Sequence, residues 1–272
     1  MALFAVAPPE PRREFLQAYR AQLQQRDGQA DPRALTLSRR EEQLQQHRRQ
    51  AATFPRVPTS EGQLFFRNQR SGRPKPGLSP RMLWTLALAK INRGETFGID
   101  YKLMQQGVVS TDIGSLDLYI EIEELYHTKT IPVVLRYLGL DAEILRPTWV
   151  TRQFLRLLVM APRYLSDILI MSSEVVGVAT FRCLIEAAEQ LFGDQAEIRQ
   201  KICELLNAIL QDEIGHVLYV RCRLSAWQLR VAQAILPLVA YAILRDTPEL
   251  WILLGRDKFL QKVYDVQLEN LV

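Results

Sequence analysis

Apolar residues recur every three or four positions along most of this chain, the spacing of one face of an α-helix. Residues 11–26 carry Phe15, Tyr19 and Leu23 on a helix otherwise rich in Arg and Gln, and a second short helix is predicted over 36–50. Residues 51–79, rich in Pro, Gly, Ser and Arg, read as an extended connection. A long helix then starts at the Ser79-Pro80 cap and runs to about Gln106, with Gly107 as its stop and the face Trp84, Leu88, Ile91, Glu95, Ile99. The next starts near Asp112 and stops at Gly139, with the stripe Ile113, Asp117, Ile120, Glu124, His127, Ile131, Val134, Leu138. Residues 140–162 are a long connection holding a helix from Thr148 to Met160. A third long helix spans Pro162 to Phe192 with Asp167, Ile170, Glu174, Gly177, Phe181 and Leu184 on one face. The fourth starts at the cap Asp194 and shows Ile198, Ile202, Leu205, Ile209, Glu213, His216 and Val220. Helices over 225–244 and 247–262 are expected outside these four. Short first and third links and a long middle connection predict an all-α four-helix bundle with one long crossover. The expected division is a basic arm and linker over 1–79, the bundle over 80–224 and flanking helices over 225–272.

Each of the four long stripes has a carboxylate where a leucine is expected. Burying an unpaired carboxylate costs several kcal/mol, so four on core-facing stripes need a shared compensation. Two come with a histidine three residues later, Glu124-Leu-Tyr-His127 and Glu213-Ile-Gly-His216. Residues three apart leave a helix on the same face and reach one point. With 18 Glu in 272 residues, a given His has about a 7% chance of a Glu three places before it, yet two of the three His have one. Both of those Glu also follow an acid, Glu123 and Asp212. With Glu95 and Glu174 added, four carboxylates and two imidazoles form the ligand set of a di-iron or di-manganese carboxylate centre. A metal-bound His donates its other N–H to a carboxylate, which predicts Asp212 on His127 and Glu123 on His216. Glu121 has no His three residues on and is excluded. Asp117 and Asp167 sit two turns before their ligands and suggest a polar network. Pro132 predicts a bend in the second long helix. His47 lies in an Arg/Gln-rich helix and reads as a solvated surface residue.

Composition narrows the chemistry. Three Cys without close spacing exclude a zinc ribbon, an iron–sulfur site and a disulfide scaffold, and three His exclude a His-rich centre. Residues 1–80 hold 14 Lys and Arg against 7 Asp and Glu, while the rest of the chain is slightly acidic. A solvated helix face accounts for this excess, with an acidic partner such as an acyl carrier protein as the alternative. The arm has no nucleic-acid recognition motif, so no nucleic-acid partner is expected. The start Met1–Pro9 does not read as an export signal. The most apolar stretch, Val231–Leu244, contains Gln233 and Pro237 and is too short to span a membrane. The expected location is the cytoplasm.

On Glu95, Glu-Glu-Leu-Tyr-His over 123–127, Glu174 and Asp-Glu-Ile-Gly-His over 212–216, the chain resembles the ferritin-like di-iron carboxylate superfamily over roughly residues 80–222. Ribonucleotide-reductase-type members have a Tyr where Ile131 stands, and toluene- and methane-type monooxygenases a Thr where Val178 stands. In its Glu-x-Tyr-His wording, size and flanking helices the chain is most similar to the p-aminobenzoate N-oxygenase group, whose additional His before the second ExxH is Ile209 here. The resemblance implies a ferritin-like fold, two Fe ions (with Mn or mixed Mn/Fe as the alternative), O₂ as co-substrate and an oxygenase that hydroxylates, N-oxygenates or otherwise oxidises an organic substrate. It implies bridging roles for Glu124 and Glu213 and terminal ones for Glu95 and Glu174. Trp84, Ile131, Gly177, Val178 and Phe181 are expected to wall an apolar substrate pocket, Gly177 by leaving space beside the metals. The implied partners are a small organic substrate, free or on a carrier protein, an external electron donor such as a ferredoxin, and a second copy of the chain. A ferritin-like iron-handling protein, a di-manganese catalase-type protein and an inert bundle are the alternatives.

Overall fold

The computed structural model describes residues 3–6, 8–72, 74, 76–106 and 115–266, and these are almost wholly helical. The arm forms α1 (Pro9–Asp27), a two-residue hairpin pairing Ala30–Asp31 with Thr36–Leu37, and α2 (Ser38–Thr53). The stretch read as an extended connection contains a further helix, α3 (Thr59–Gln69), with Phe65 fully buried beneath it. Its prolines stand outside the helix, Pro55 and Pro58 before it and Pro74 and Pro76 after it, so the Pro-rich composition marks the boundaries of α3 and does not exclude it.

The four long helices are α4 (Pro80–Gln106), α5 (Leu116–Tyr137), α7 (Arg163–Leu191) and α8 (Ala196–Arg223), with α6 (Trp149–Met160) inside the long connection. Ser79 Oγ accepts from Met82 N at the start of α4, and Ser115 Oγ accepts from Leu118 N at the start of α5. The stop at Gly107, the start at Asp112 and the stripe residue Ile113 lie outside the described residues. Gln195, not Asp194, occupies the position before α8. Helix α5 continues through Pro132.

Contacts fix the directions. Trp84 Nε1 of α4 donates to Leu184 O of α7, while Lys102 of α4 meets Glu121 of α5. Tyr219 of α8 meets Asp117 near the start of α5, and Asp212 of α8 meets His127 later in α5. Asp167 of α7 meets Arg223 at the end of α8, and Gly177 faces Glu213. Each neighbour in the ring α4–α5–α8–α7 is therefore antiparallel, and α5 and α7 run parallel across the diagonal. That arrangement requires the crossover, and α6 lies in it, packed on α4, α7 and α9.

Helices α9 (Ala226–Leu244), α10 (Pro248–Leu254) and α11 (Arg256–Tyr264) cover the outside of α4 and α7. Gly255, at φ +79°, breaks what the periodicity joins as one helix over 247–262. One described helix, α7, is long and apolar enough to cross a membrane by length and composition, with a window of mean hydropathy 1.8, and 67% of that window is buried inside the protein. The apolar stretch Val231–Leu244 lies apart from it, within α9. A helix covered by α4, α6, α8, α9 and α11 is apolar on every side for the same reason a core is.

Candidate metal centre

The four long helices bring Glu95, Glu124, His127, Glu174, Glu213 and His216 to one level of the bundle. Ligand atoms of Glu95, Glu124 and His127 lie within 4.8 Å of one another, as do those of Glu124, Glu174 and His216, so Glu124 belongs to both groups. Glu213 Oε1 is 3.4 Å from His127 Nδ1. His216 Nδ1 is 3.0 Å from Glu124 Oε1 and 3.5 Å from Glu174 Oε2. The imidazole centroids are 5.8 Å apart.

Both histidines are buried, and among the described residues neither Nδ1 makes a well-aligned hydrogen bond although each lies within 3.6 Å of two glutamates. The opposite ring atoms are held. His127 Nε2–H donates to Asp212 Oδ2 at 3.0 Å, and His216 Nε2–H donates to Glu123 Oε2 at 3.1 Å. A donor fixed on one nitrogen leaves a lone pair on the other, the state in which imidazole binds a cation. Hard carboxylates with two imidazoles suit Fe or Mn more than a thiolate-seeking metal. The residues present therefore fit a metal pair.

Electrostatics separates the groups by environment. Burial and the neighbouring charge of Glu124 push the Glu95 carboxyl up to about 8. Burial and then Glu174 raise Glu213 well above the usual carboxylate range. Burial would also raise Glu124, but the close approach and charge of His127 and His216 outweigh it and hold it well below. For His127 burial lowers basicity, yet Asp212 and Glu124 outweigh it and bring it up to about 9. Without a cation, protons hold the cluster together.

The basic arm is not a solvated face where it meets the bundle. Arg26 of α1 pairs with Glu123 and reaches Asp212 Oδ1 at 2.7 Å and Asp27 Oδ2 at 2.6 Å. Arg40 of α2 pairs with Asp212 and lies 3.6 Å from Glu123 and 3.8 Å from Asp27. These guanidiniums outweigh the burial of Asp212 and hold its carboxyl well below the usual range. Glu123, whose burial and whose neighbour Asp212 work against ionisation, rises to about 7. Tyr19 also enters from α1, and its buried hydroxyl has no hydrogen-bond partner. It lies directly over Gly215, so any side chain at 215 collides with the ring. Sequence periodicity missed Arg26, Arg40 and Tyr19 as site residues. The signal present was the arm's cation excess, matched to two buried acids in need of cations.

Three other readings change. The space above Gly177 is taken by Glu213, whose Oε2 is 2.5 Å from where a Cβ would stand, so this glycine makes room for a ligand carboxylate and not for substrate. Trp84 packs edge-on against Phe192, far along α4 from Glu95, as a core residue. Ile131, Val178 and Phe181 are buried in the bundle. His47 is not solvated: its side chain is 13% exposed, and Nδ1 lies 3.1 Å from Tyr137 Oη. Asp117 and Asp167 share Arg223, which joins them at 3.3 and 3.0 Å, and Tyr219 adds a hydrogen bond to Asp117. Glu121 is buried and lies 3.7 Å from Lys102. Compared with protein-family models, with curated proteins and with solved structures, the chain matches none.

Proposed function

We propose that this chain is a ferritin-like di-iron carboxylate oxidoreductase that uses O₂ to oxidise a small organic substrate. The observation that carries the reading is the pair of buried Nδ1 atoms, each without a well-aligned hydrogen bond among the described residues and each close to two glutamates, on imidazoles whose Nε2 is pinned by an acid. Glu95, Glu124 and His127 would hold one metal and Glu124, Glu174 and His216 the other, with Glu213 joining beside His127. Bound there, a pair of irons supplies the electrons that O₂ reduction and substrate oxidation exchange.

The chain's own residues prepare this. Asp212 and Glu123 fix the imidazole tautomer, and Arg26 and Arg40 supply the positive charge that buried acids need in order to do so. Glu95 and Glu213 keep their protons in the absence of a cation and release them to one, so metal uptake sets protons free. Ile131, Val178 and Phe181 keep water from the bundle interior. Glu124, which belongs to both groups, would help to hold both metals, and an external donor such as a ferredoxin would supply the electrons of each turnover.

Anaerobic loading with Fe(II), elemental analysis and then exposure to O₂ test the proposal. Expected are about two irons per chain and O₂ consumption by the loaded protein, both lost in Glu124→Ala. Stoichiometric zinc or no bound metal refutes the centre. Large cages that retain many irons per chain point to iron storage instead.

A further inference from the structure

Helices α6 and α9 lie side by side and antiparallel. Thr148 N, before α6, donates to Asp246 Oδ2 after α9, and Gln228 Nε2, early in α9, donates to Tyr164 O after α6. Both present apolar side chains to solvent at helical spacing. On α9 these are Trp227, Val231, Leu238 (70% exposed) and Tyr241. On α6 and the turn after it they are Trp149 (66% exposed), Leu157, Met160 and Tyr164. A helix that merely covers a soluble core turns polar residues outward.

The charged residues of these two helices and their flanking turns have one sign, although the Nε atoms of Arg152 and Arg156 are turned inward. Residues 144–166 and 225–245 contain no Asp, Glu or Lys, and they contain six arginines, at 146, 152, 156, 163, 230 and 245. Asp167 and Asp246, which bound the two stretches, are buried. Of the six, only Arg163 has an ion pair among the described residues, with Asp117 at 3.6 Å, and Arg156 stacks on Tyr101. Two such faces brought together would set arginines against arginines, which disfavours a second copy of the chain as the occupant. Exposed Trp and Tyr beside aliphatic side chains, with arginines among them and no acids, is the composition of a helix that lies in the headgroup layer of an anionic membrane.

We propose that the α6–α9 face docks on an anionic lipid surface. The aliphatic side chains and the two indoles enter the boundary between headgroups and acyl chains, while the arginines pair with lipid phosphates. The proposal is independent of the metal centre and holds for metal-free protein as well.

Flotation of the full chain with vesicles tests it, using phosphatidylcholine alone and phosphatidylcholine with about one third phosphatidylglycerol. Expected is binding to the anionic vesicles only, weakened by salt, with a blue shift of tryptophan emission that Trp149→Phe/Trp227→Phe removes. Leu238→Asp lowers the partition coefficient about tenfold or more, and Arg230→Gln/Arg245→Gln lowers it about 25-fold, near fivefold for each arginine. All these positions are exposed, and an unchanged far-UV circular dichroism spectrum confirms that the variants fold. Absence of flotation with anionic vesicles overturns the proposal. So does a dimer in solution that Leu238→Asp dissociates, because a second copy then covers the face, and so does equal binding to both vesicle types.

Discussion

Helix α4 contributes to two buried ionic clusters that differ in one respect. In the first, two cations meet two anions: Lys90 Nζ is 2.5 Å from Glu249 Oε1 and also donates to Ser71 O, and Arg93 donates to Asp246 O and lies 3.8 Å from its carboxylate. In the second, one to two turns further along, Glu95 joins six other carboxylates (Glu123, Glu124, Glu174, Glu213, Asp212 and Asp27) that face two guanidiniums and two imidazoles. With every carboxyl ionised and both imidazoles protonated, seven negative charges would face four positive ones, and protons on carboxyls such as Glu95 and Glu213 make up the difference where no cation does. A balanced buried cluster is structural, anchoring α10 to α4. An unbalanced one with idle lone pairs marks a place for cations that the chain does not itself supply.

The difference breaks most visibly when one partner is removed. Glu249→Ala strands Lys90, and the double substitution Arg26→Met/Arg40→Met strips both guanidiniums from Asp212. Each is expected to cost about 3–5 kcal/mol in urea denaturation, and a loss below about 1 kcal/mol would show that the pairs are dispensable. Next, the clusters are expected to respond to neutralisation with opposite signs. Glu213→Gln puts a neutral amide where folding of the metal-free chain otherwise has to protonate a carboxyl and raises the melting temperature of metal-free protein, while Glu249→Gln lowers it. Saturating Fe(II) or Mn(II), at about one hundred times the dissociation constant, adds about 2.7 kcal/mol to the wild type and about nothing to Glu213→Gln. Thermal melts with and without chelator read both.

A smaller effect is pH-dependent. His127, raised to about 9 in the fold, adds stability that is complete below its unfolded value near 6.5 and is lost as pH rises through about 9. Glu95, raised to about 8, acts in the same direction, because the unfolded chain sheds that proton at lower pH than the folded one does. Metal-free protein is therefore expected to melt at lower temperature as pH rises from 6.5 to 9, by at most about 1.4 kcal/mol per pH unit for each group. Metal reverses the slope, since a cation takes the place of the protons. A falling melting temperature in the presence of metal would contradict the assignment of these ligands. Smallest is Gly215→Ala, which drives a methyl group into the Tyr19 ring and is expected to cost about 1–3 kcal/mol, most of it recovered in Gly215→Ala/Tyr19→Leu.

The long helices and the convergence of six Glu and His side chains that could hold metal were legible because both are written locally, in the three-and-four spacing of single stripes. The pairing of Asp212 with His127 and of Glu123 with His216 was accessible through chemistry, since imidazoles bound to metal need an acceptor. Arg26 and Arg40 were not legible. They meet acids 97 and 172 residues away, and no periodicity in α1 or α2 separates an inward arginine from the solvated ones around it. Tyr19 was assigned to the apolar stripe of its helix, which is correct, but the stripe does not say that Gly215 admits its ring beside His216. Gly177 failed for the converse reason: its smallness was evident, and what fills the space was not. Helix α3 was hidden by Pro-rich flanks that resemble a linker until Phe65 is seen packed in the core.

The span of 172 residues between Arg40 and Asp212 has a consequence during synthesis. A ribosome adding about 5–20 residues per second needs roughly ten to thirty-five seconds to reach Asp212 after Arg40 is made. Throughout that interval Arg40 lacks the Asp212 it finally meets, while Glu123, which it also faces, is made about halfway through. The wall that Arg26 and Arg40 form over Asp212 can close only once α8 is made, after Glu95, Glu124, His127 and Glu174. Cations available in the cell thus have access to these side chains before that wall is in place.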